Sequence, residues 1–311
     1  MQASAEVVVV DNGGDDDDEL VSAGRLPRVR VVTPGENLGF AGGCNFGAAE
    51  AKGDLLVFLN PDTTVEAGAL EQLAARLADE EIGIVMARLR LLDHPELLNS
   101  AGTIVHLSGL AWAGGYGGPA ESVDRLEEVP APSGAALAVR REVFERLGCF
   151  TADLFMYHED VELGWRARLH GLRVVVDPAA DVYHEYEFGR HREHTGLRDR
   201  NRLVFVLTAY SLRLLFVLAP VLVATELGML ALAARQGWLR GKLAGWWWCV
   251  WHLRWLTRHR RETQRLRRVR DRELAPFLTP VLDPTMVALP RLVVPVNRIL
   301  GAYWAVARKA L

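Results

Sequence analysis

Four short, nearly unbroken apolar runs punctuate the first ninety residues: EVVVVDN at 6–12, RVRVVTP at 28–34, DLLVFLNPD at 54–62 and IGIVMARL at 82–89. Each is too short for a typical helix, and the first three stop on Asn, Pro or Asp. Little polar alternation interrupts them, as expected of strands in a parallel sheet covered on both faces. The intervening stretches AGGCNFGAAEAKG and EAGALEQLAARLADE have helical spacing instead. The alternation predicts an α/β domain with a mostly parallel sheet. Ligands of such sheets collect beyond the carboxyl ends of the strands, and Asp11 and Asp62 fall just past two of them.

The interval 99–132 is rich in Gly and small residues, and it is expected to be a long loop with short strands that closes over a site. After it, SGAALAVRREVFERLGCF reads as strand then helix. HEDVELGWRARLHG reads as a helix opened by two acids and stopped by Gly171, and LRVVVDP as one more strand. From Leu203 the composition changes. Residues 203–234 are apolar except for Arg213, Glu226 and a few small polar residues, with Pro220 in mid-run, which is long enough for a bilayer span of roughly 20 residues. GWWWCVWHLRWL then brings five tryptophans, and eight arginines follow between Arg258 and Arg272. Tryptophans beside basic residues suit a headgroup interface. The expected division is therefore 1–202, a catalytic domain, and 203–311, a helical membrane-associated region. Basic residues on both sides of the run leave open whether it crosses the bilayer or re-enters it.

Composition adds three limits. With 311 residues, half of them apolar, the chain can bury a full core and still build a second region. The net charge is only -3, but acids concentrate early and arginines late. Cys44, Cys149 and Cys249 are widely separated, which argues against a disulfide framework or a cysteine metal site and for a reducing compartment. The N-terminus lacks the basic flank and apolar core of a secretory signal.

Several residues could carry chemistry. Asp62 ends a strand, where a carboxylate either caps the next element or holds a hard divalent cation whose remaining ligands are phosphate and water. In His158-Glu159-Asp160 one acid can serve the helix start while the other faces a cleft as a general base. His184 follows the last strand and is either structural or a metal ligand. Trp165 and Arg166, one turn on, are expected to pack and pair on their helix. No Ser or Cys triad, Walker lysine or G-x-G-x-x-G loop is present, which disfavours hydrolase, ATP and dinucleotide chemistry.

The ordered set VVVDNGGDD, ENLGFAGGCNFGAAEAKGDLLVFLNPDT, SGAALAVRREVFERLGCFTADLFMYHEDVELGWRARLHGLRVVVDPAADVYH and RDRNRLVFVL resembles the family 2 glycosyltransferases of the GT-A fold, most closely the bacterial rhamnosyltransferase-like branch. The resemblance covers about residues 6–205. It implies that Asp11 reads the nucleotide base and that Asn37, Gly39 and Asn45 shape the loop and helix beside a nucleotide-sugar donor. Asn60 and Gly134 would also line the donor site. Asn60-Pro61-Asp62 matches the family's acidic metal motif, with Asn60 in place of the leading acid. Asp62 would then hold Mg²⁺ or Mn²⁺, joined by His184. Asp160 falls on the catalytic base, with Glu159 beside it. Family members open with a further strand and helix before the VDN strand. This chain starts at the second strand, so about thirty residues of sheet and nucleotide pocket are expected to be missing.

The resemblance implies an inverting, metal-dependent transfer of a sugar, rhamnose in the first instance, to a lipid-linked or polysaccharide acceptor. The expected setting is the cytoplasmic face of a bacterial plasma membrane, with the late arginines against anionic lipid rather than nucleic acid. The alternative is a degenerate, non-catalytic transferase acting as a membrane scaffold. A small transporter is excluded, because one apolar stretch cannot build a pathway.

Overall fold

The computed structural model describes residues 5–13, 17–185, 194–283 and 290–311, so part of the early acidic run and the YEFG segment after Glu185 lie outside it. The chain begins with β1 (Val7–Val10), α1 (Asp17–Ala23), β2 (Val29–Val32), α2 (Gly39–Glu50) and β3 (Leu55–Leu59). Next come β4 (Thr63–Val65), α3 (Ala69–Arg76) and β5 (Ile82–Leu91). The Gly-rich interval holds β6 (Leu98–Ser100), β7 (Thr103–His106), β8 (Ala111–Ala113) and β9 (Glu127–Glu128). Then follow β10 (Ala136–Arg140), α4 (Arg141–Arg146), α5 (Glu159–Leu169) and β11 (Arg173–His184). The rest is mainly helical: α6 (Thr195–Ala209), α7 (Leu212–Gln236), α8 (Leu239–Trp251), α9 (Leu253–Arg265), α10 (Asp271–Leu274), β12 (Leu278–Thr279) and α11 (Pro290–Ala307).

The central sheet is mixed, not mostly parallel. Its order is β3-β10-β5-β11-β4, with β10 antiparallel to both neighbours and β4 antiparallel to β11. Only the β5–β11 ladder on this path is parallel. The chain reaches β10 through the long Gly-rich excursion instead of a helical crossover, and therefore enters the sheet from the opposite end. β3, β5 and β11 still run the same way, so their carboxyl ends share one edge. Because β10 is reversed, it starts at that edge, with Ala136 opposite Leu59.

β3 is not covered on both faces either. Leu56 and Phe58 are buried, whereas Leu55, Val57 and Leu59 are 39, 36 and 39% exposed. β1 and β2 form a separate parallel pair, and among the described residues no ladder joins them to β3. Helix α2 closes on this pair so tightly that a Cβ at Gly47 would lie 2.8 Å from the Val10 side chain.

Two main cores result. One fills the central sheet and its flanking helices, including Leu73, Ile84, Met86, Leu137 and Val175. The other brings Val105 of β7 and Trp165 of α5 together with Phe205, Tyr210, Leu214 and Trp304. The boundary expected at residue 202 thus falls inside α6, whose Val204, Phe205 and Val206 are buried. The apolar run from Leu203 splits at Tyr210 and Ser211: Tyr210 is buried, and Ser211 caps α7 by accepting the Leu214 N–H at 2.9 Å. By length and composition α7 could cross a membrane, and 17% of its most apolar window is buried. Midway along it, Glu226 pairs with Arg202 and, at 2.6 Å, with Lys242, and both cations also pair with buried Asp199.

The expected contact of the arginine cluster with an anionic surface finds no support here. Arg260 donates to the Tyr210 carbonyl at 2.8 Å and to that of Leu207, and Arg267 pairs with Asp271 at 2.8 Å. These two side chains tie the helices together.

Candidate active site

The shared strand edge gathers the acidic residues. Asn60 follows β3, and its N–H donates to the Ala135 carbonyl at the start of β10 at 3.0 Å. One residue earlier, the Gly134 N–H donates to Asp160 Oδ2 at 2.9 Å. The reversed strand therefore links the end of β3 to the first turn of α5. A Cβ at Gly134 would meet the Phe40 ring at 3.2 Å and Asp160 Oδ2 at 3.6 Å, so a side chain there would press on the ring and touch the acid.

Asp62 and His184 meet at the same edge. Register pairs His184 with Thr63, and the Glu185 N–H donates to the Asp62 carbonyl at 2.9 Å. His184 Nε2 lies 3.2 Å from Asp62 Oδ1, and Nδ1 lies 3.0 Å from Asn99 Oδ1. An amide oxygen can only accept, so Nδ1 carries a proton. Nε2 then either donates to Asp62 as an imidazolium or turns a lone pair toward a cation shared with the carboxylate. The second arrangement is the ordinary one for a metal-ligating histidine steered by an outer partner. Among the described residues no group of three or more His, Cys, Asp or Glu could hold a metal ion. The pair fits a hard cation that takes its other ligands from a diphosphate and water, and the buried Asn60 Oδ1, which has no partner among the described residues, adds an unused acceptor nearby in the chain.

Two adjacent acids open α5. Both oxygens of Asp160 accept backbone N–H groups, from Gly134 and, at 2.7 Å, from Val161. Burial raises its pKa, and those hydrogen bonds oppose the rise. Glu159 is buried, with Oε2 lacking a partner among the described residues. Burial, and then the Asp160 charge, push its pKa well above the usual carboxylate range. The larger rise falls on Glu159, and backbone hydrogen bonds oppose the rise at Asp160, so Glu159 retains its proton more readily than Asp160. One turn on, Glu162 is also fully buried. Burial raises its pKa, but Arg166 and His259 outweigh this and hold it down to about 2. Trp165 is buried, and Arg166 pairs with Glu162 at 3.6 Å.

On the β1 side, Asp11 accepts from the Gly13 N–H at 3.1 Å. Asn37 accepts the Gly39 N–H at 2.8 Å, while Asn12 bridges the loop, accepting from Leu38 N at 2.9 Å and donating to the Gly39 carbonyl at 2.8 Å. Gly39 has φ 69°, and a Cβ there would be 2.4 Å from the Phe155 carbonyl oxygen, so only glycine fits. Asn45 binds the Phe150 backbone at both ends of its amide, at 2.8 and 3.0 Å. Asn12 and Asn99 were not singled out by the sequence. Asn12 adjoins Asp11 and could have been inferred from that, whereas Asn99 sits in the weakly patterned interval and carries no local signal. Cys44 is no nucleophile, since burial and then the Glu159 charge push its thiol up to about 12.

Comparison with known proteins agrees with this geometry. Residues 3–148 match the family model "Glycosyl transferase family 2". The O-antigen biosynthesis protein RfbC of Myxococcus xanthus is 32% identical over 158 residues, which is 48% of this chain and 12% of that protein. An N-acetylglucosaminyl-diphospho-decaprenol L-rhamnosyltransferase of Mycobacterium tuberculosis is 31% identical over 202 residues, 56% of this chain and 62% of that one. The chain thus spans less than two thirds of the length of either relative. GalNAc-T7, solved with UDP, GalNAc and Mn²⁺, superposes with a TM-score of 0.55 at 21% identity, over 66% of this chain and 42% of its own. That likeness is one of fold, an α/β architecture of the GT-A kind with a mixed sheet. Residues 3–148, just under half of the chain, thus form a region similar to glycosyl transferase family 2.

Proposed function

We propose that this protein is an inverting, divalent-metal-dependent glycosyltransferase that moves a sugar from a nucleotide-diphosphate donor to a lipid-linked or polysaccharide acceptor. The observation that carries the reading is the shared edge where Asp62 and His184 lie 3.2 Å apart and the reversed β10 ties Asp160 to the end of β3. The named acceptor of the mycobacterial relative supports a lipid diphosphate acceptor and rhamnose as the first sugar to test.

In this mechanism Asp160, held by the Gly134 and Val161 N–H groups, takes the proton of an acceptor hydroxyl as that oxygen attacks the anomeric carbon. The new C–O bond forms on the face opposite the nucleotide, the bond to the diphosphate oxygen breaks, and the sugar centre inverts. Asp62 and His184 would hold the cation, which when bound supplies Lewis-acid stabilisation of the charge on the leaving diphosphate. Asp11 and the Asn37–Gly39 turn bind the nucleotide side. The test is turnover of dTDP-rhamnose and other nucleotide sugars with Mn²⁺ or Mg²⁺. Metal-dependent release of nucleoside diphosphate supports the reading, and none from any donor sinks it. A non-catalytic scaffold is the second reading, favoured by the β1–β2 pair having no ladder to the central sheet among the described residues. Calorimetry separates the two, because a scaffold would bind no donor.

The site of action in this reading is the cytoplasmic face of a bacterial membrane, reached through residues 203–311. The support is apolar: Phe216 and Leu227 of α7, Trp247 and Trp251 of α8 and Ile299 of α11 are all exposed. A bilayer interface is the setting where such side chains are stable. Replacing Phe216, Leu227, Trp247 and Trp251 with Gln should move the protein to the soluble fraction without detergent. Unchanged membrane recovery would exclude attachment through this surface.

A further inference from the structure

Just before Asp160 the backbone enters the left-handed region at three residues out of four, none of them glycine: Phe155 (φ 67°), Tyr157 (φ 71°) and His158 (φ 69°). Phe155, with ψ -64°, lies in the strained mirror-image turn region, which a bulky side chain holds only when its surroundings impose it. Helix α6 supplies the imposing contacts. Fully buried Asn201 donates through Nδ2 to the carbonyls of Leu154, Met156 and Tyr157 at 2.9, 2.8 and 2.8 Å. Arg200 fixes the direction of that amide, donating to Asn201 Oδ1 from Nε at 2.9 Å and Nη2 at 2.7 Å. The same Nη2 donates to the Asp153 and Leu154 carbonyls at 2.9 and 3.1 Å.

This segment touches both halves of the cleft. The Phe155 carbonyl accepts the Ala41 N–H at 3.0 Å and faces Gly39, on the donor side. His158 leads directly into Glu159 and Asp160, on the base side, and its Nε2 lies 3.1 Å from the Gly109 carbonyl. A helix end positioned by ordinary packing would not need three carbonyls collected on one buried amide.

We infer that Asn201, aligned by Arg200, is a positioning residue: it holds the left-handed 155–158 turn and so sets the spacing between the Gly39–Ala41 backbone and Asp160. The effect on turnover rests on the glycosyl-transfer reading, but the clamp itself does not. The test is hydrogen exchange of the full chain, comparing peptides over 152–161 with peptides over β5, together with dTDP-rhamnose turnover in Mn²⁺. Asn201→Ala should speed exchange at 154–160 by about tenfold or more with β5 unchanged. It should also lower kcat by roughly 10²-fold while KM stays within about threefold. Glycine relieves the strain at position 155, so Asn201→Ala with Phe155→Gly should recover about tenfold of both losses, which a merely structural role would not produce. Unchanged exchange at 154–160, acceleration spread evenly over the chain, or no recovery with Phe155→Gly would overturn the inference. If Asn201→Ala fails to fold, Arg200→Ala, which keeps the Asn201 amide but removes its alignment and the two bonds to the Asp153 and Leu154 carbonyls, is read by the same criteria. Should the wild type turn over no donor, the transferase reading falls while the exchange data still decide the clamp.

Discussion

Asp160→Asn should lower turnover by roughly 10² to 10⁴ while donor and metal binding survive. An asparagine side chain cannot take the acceptor's proton. It also offers one accepting oxygen where Asp160 uses two, so it keeps only one of the hydrogen bonds from Gly134 and Val161. A stability loss of about 1–3 kcal/mol should accompany the kinetic one, and thermal unfolding separates the two effects. The pH profile gives a second readout. The base works only when unprotonated, and burial raises its pKa, so activity should fall on acidification at higher pH than an ordinary aspartate would allow. Glu159→Gln replaces a neighbour that keeps its proton while Asp160 titrates, so that acidic limb should stay in place, with a smaller cost to kcat. Wild-type turnover in Asp160→Asn together with collapse in Glu159→Gln would transfer the base role to Glu159.

The second large effect belongs to Asp62. Asp62→Ala removes the only carboxylate of the proposed cation pair, and turnover should drop by at least about 10³-fold, with no recovery at raised Mn²⁺. His184→Ala should weaken metal affinity less. Asn99→Ala touches neither donor nor metal in this scheme, yet it frees the imidazole that Asn99 Oδ1 orients at 3.0 Å. A loss of about 10- to 100-fold in Mn²⁺ affinity is expected, the usual cost of an outer partner. Mn²⁺ titration by calorimetry reads all three variants directly. Equal affinity in Asp62→Ala and the wild type would place the cation elsewhere.

Much of this architecture could be read from the chain because strands that end on a lone carboxylate leave a local signature. Asp11, Asp62 and His184 all follow apolar runs, and the helix starting at Glu159 announces itself by its acids and its Gly171 stop. Strand direction has no such signature. Nothing in ALAVR at 136–140 distinguishes a parallel strand from a reversed one, and the reversal of β10 is what brings Gly134 to Asp160. Hydropathy failed at a different point, since Phe205, Val206 and Ala209 read the same whether they face lipid or, as here, join the core around Trp165 and Val105. Asn45, which the resemblance assigns to shaping the helix beside the donor, engages the Phe150 backbone with both ends of its amide, 105 residues away in sequence. Asn99 and Asn201 act through distant partners, 85 and 44 to 47 residues away in sequence, which no local pattern encodes.

The second core has a consequence for how the protein matures during synthesis. Trp165, on the helix that carries Asp160, shares its cluster with Leu214 of α7 and Trp304 of α11. A ribosome adds about 5–20 residues per second, so the nascent chain waits on the order of ten seconds between emergence of Trp165 and of the last residue that helps cover it. During that interval the sheet can form from its own contacts while the back of the helix bearing Asp160 stays exposed as a sticky apolar face. The cleft therefore gains its final shape late, and substitutions as remote as Trp304 should reduce the yield of folded protein before they alter any property of the finished molecule.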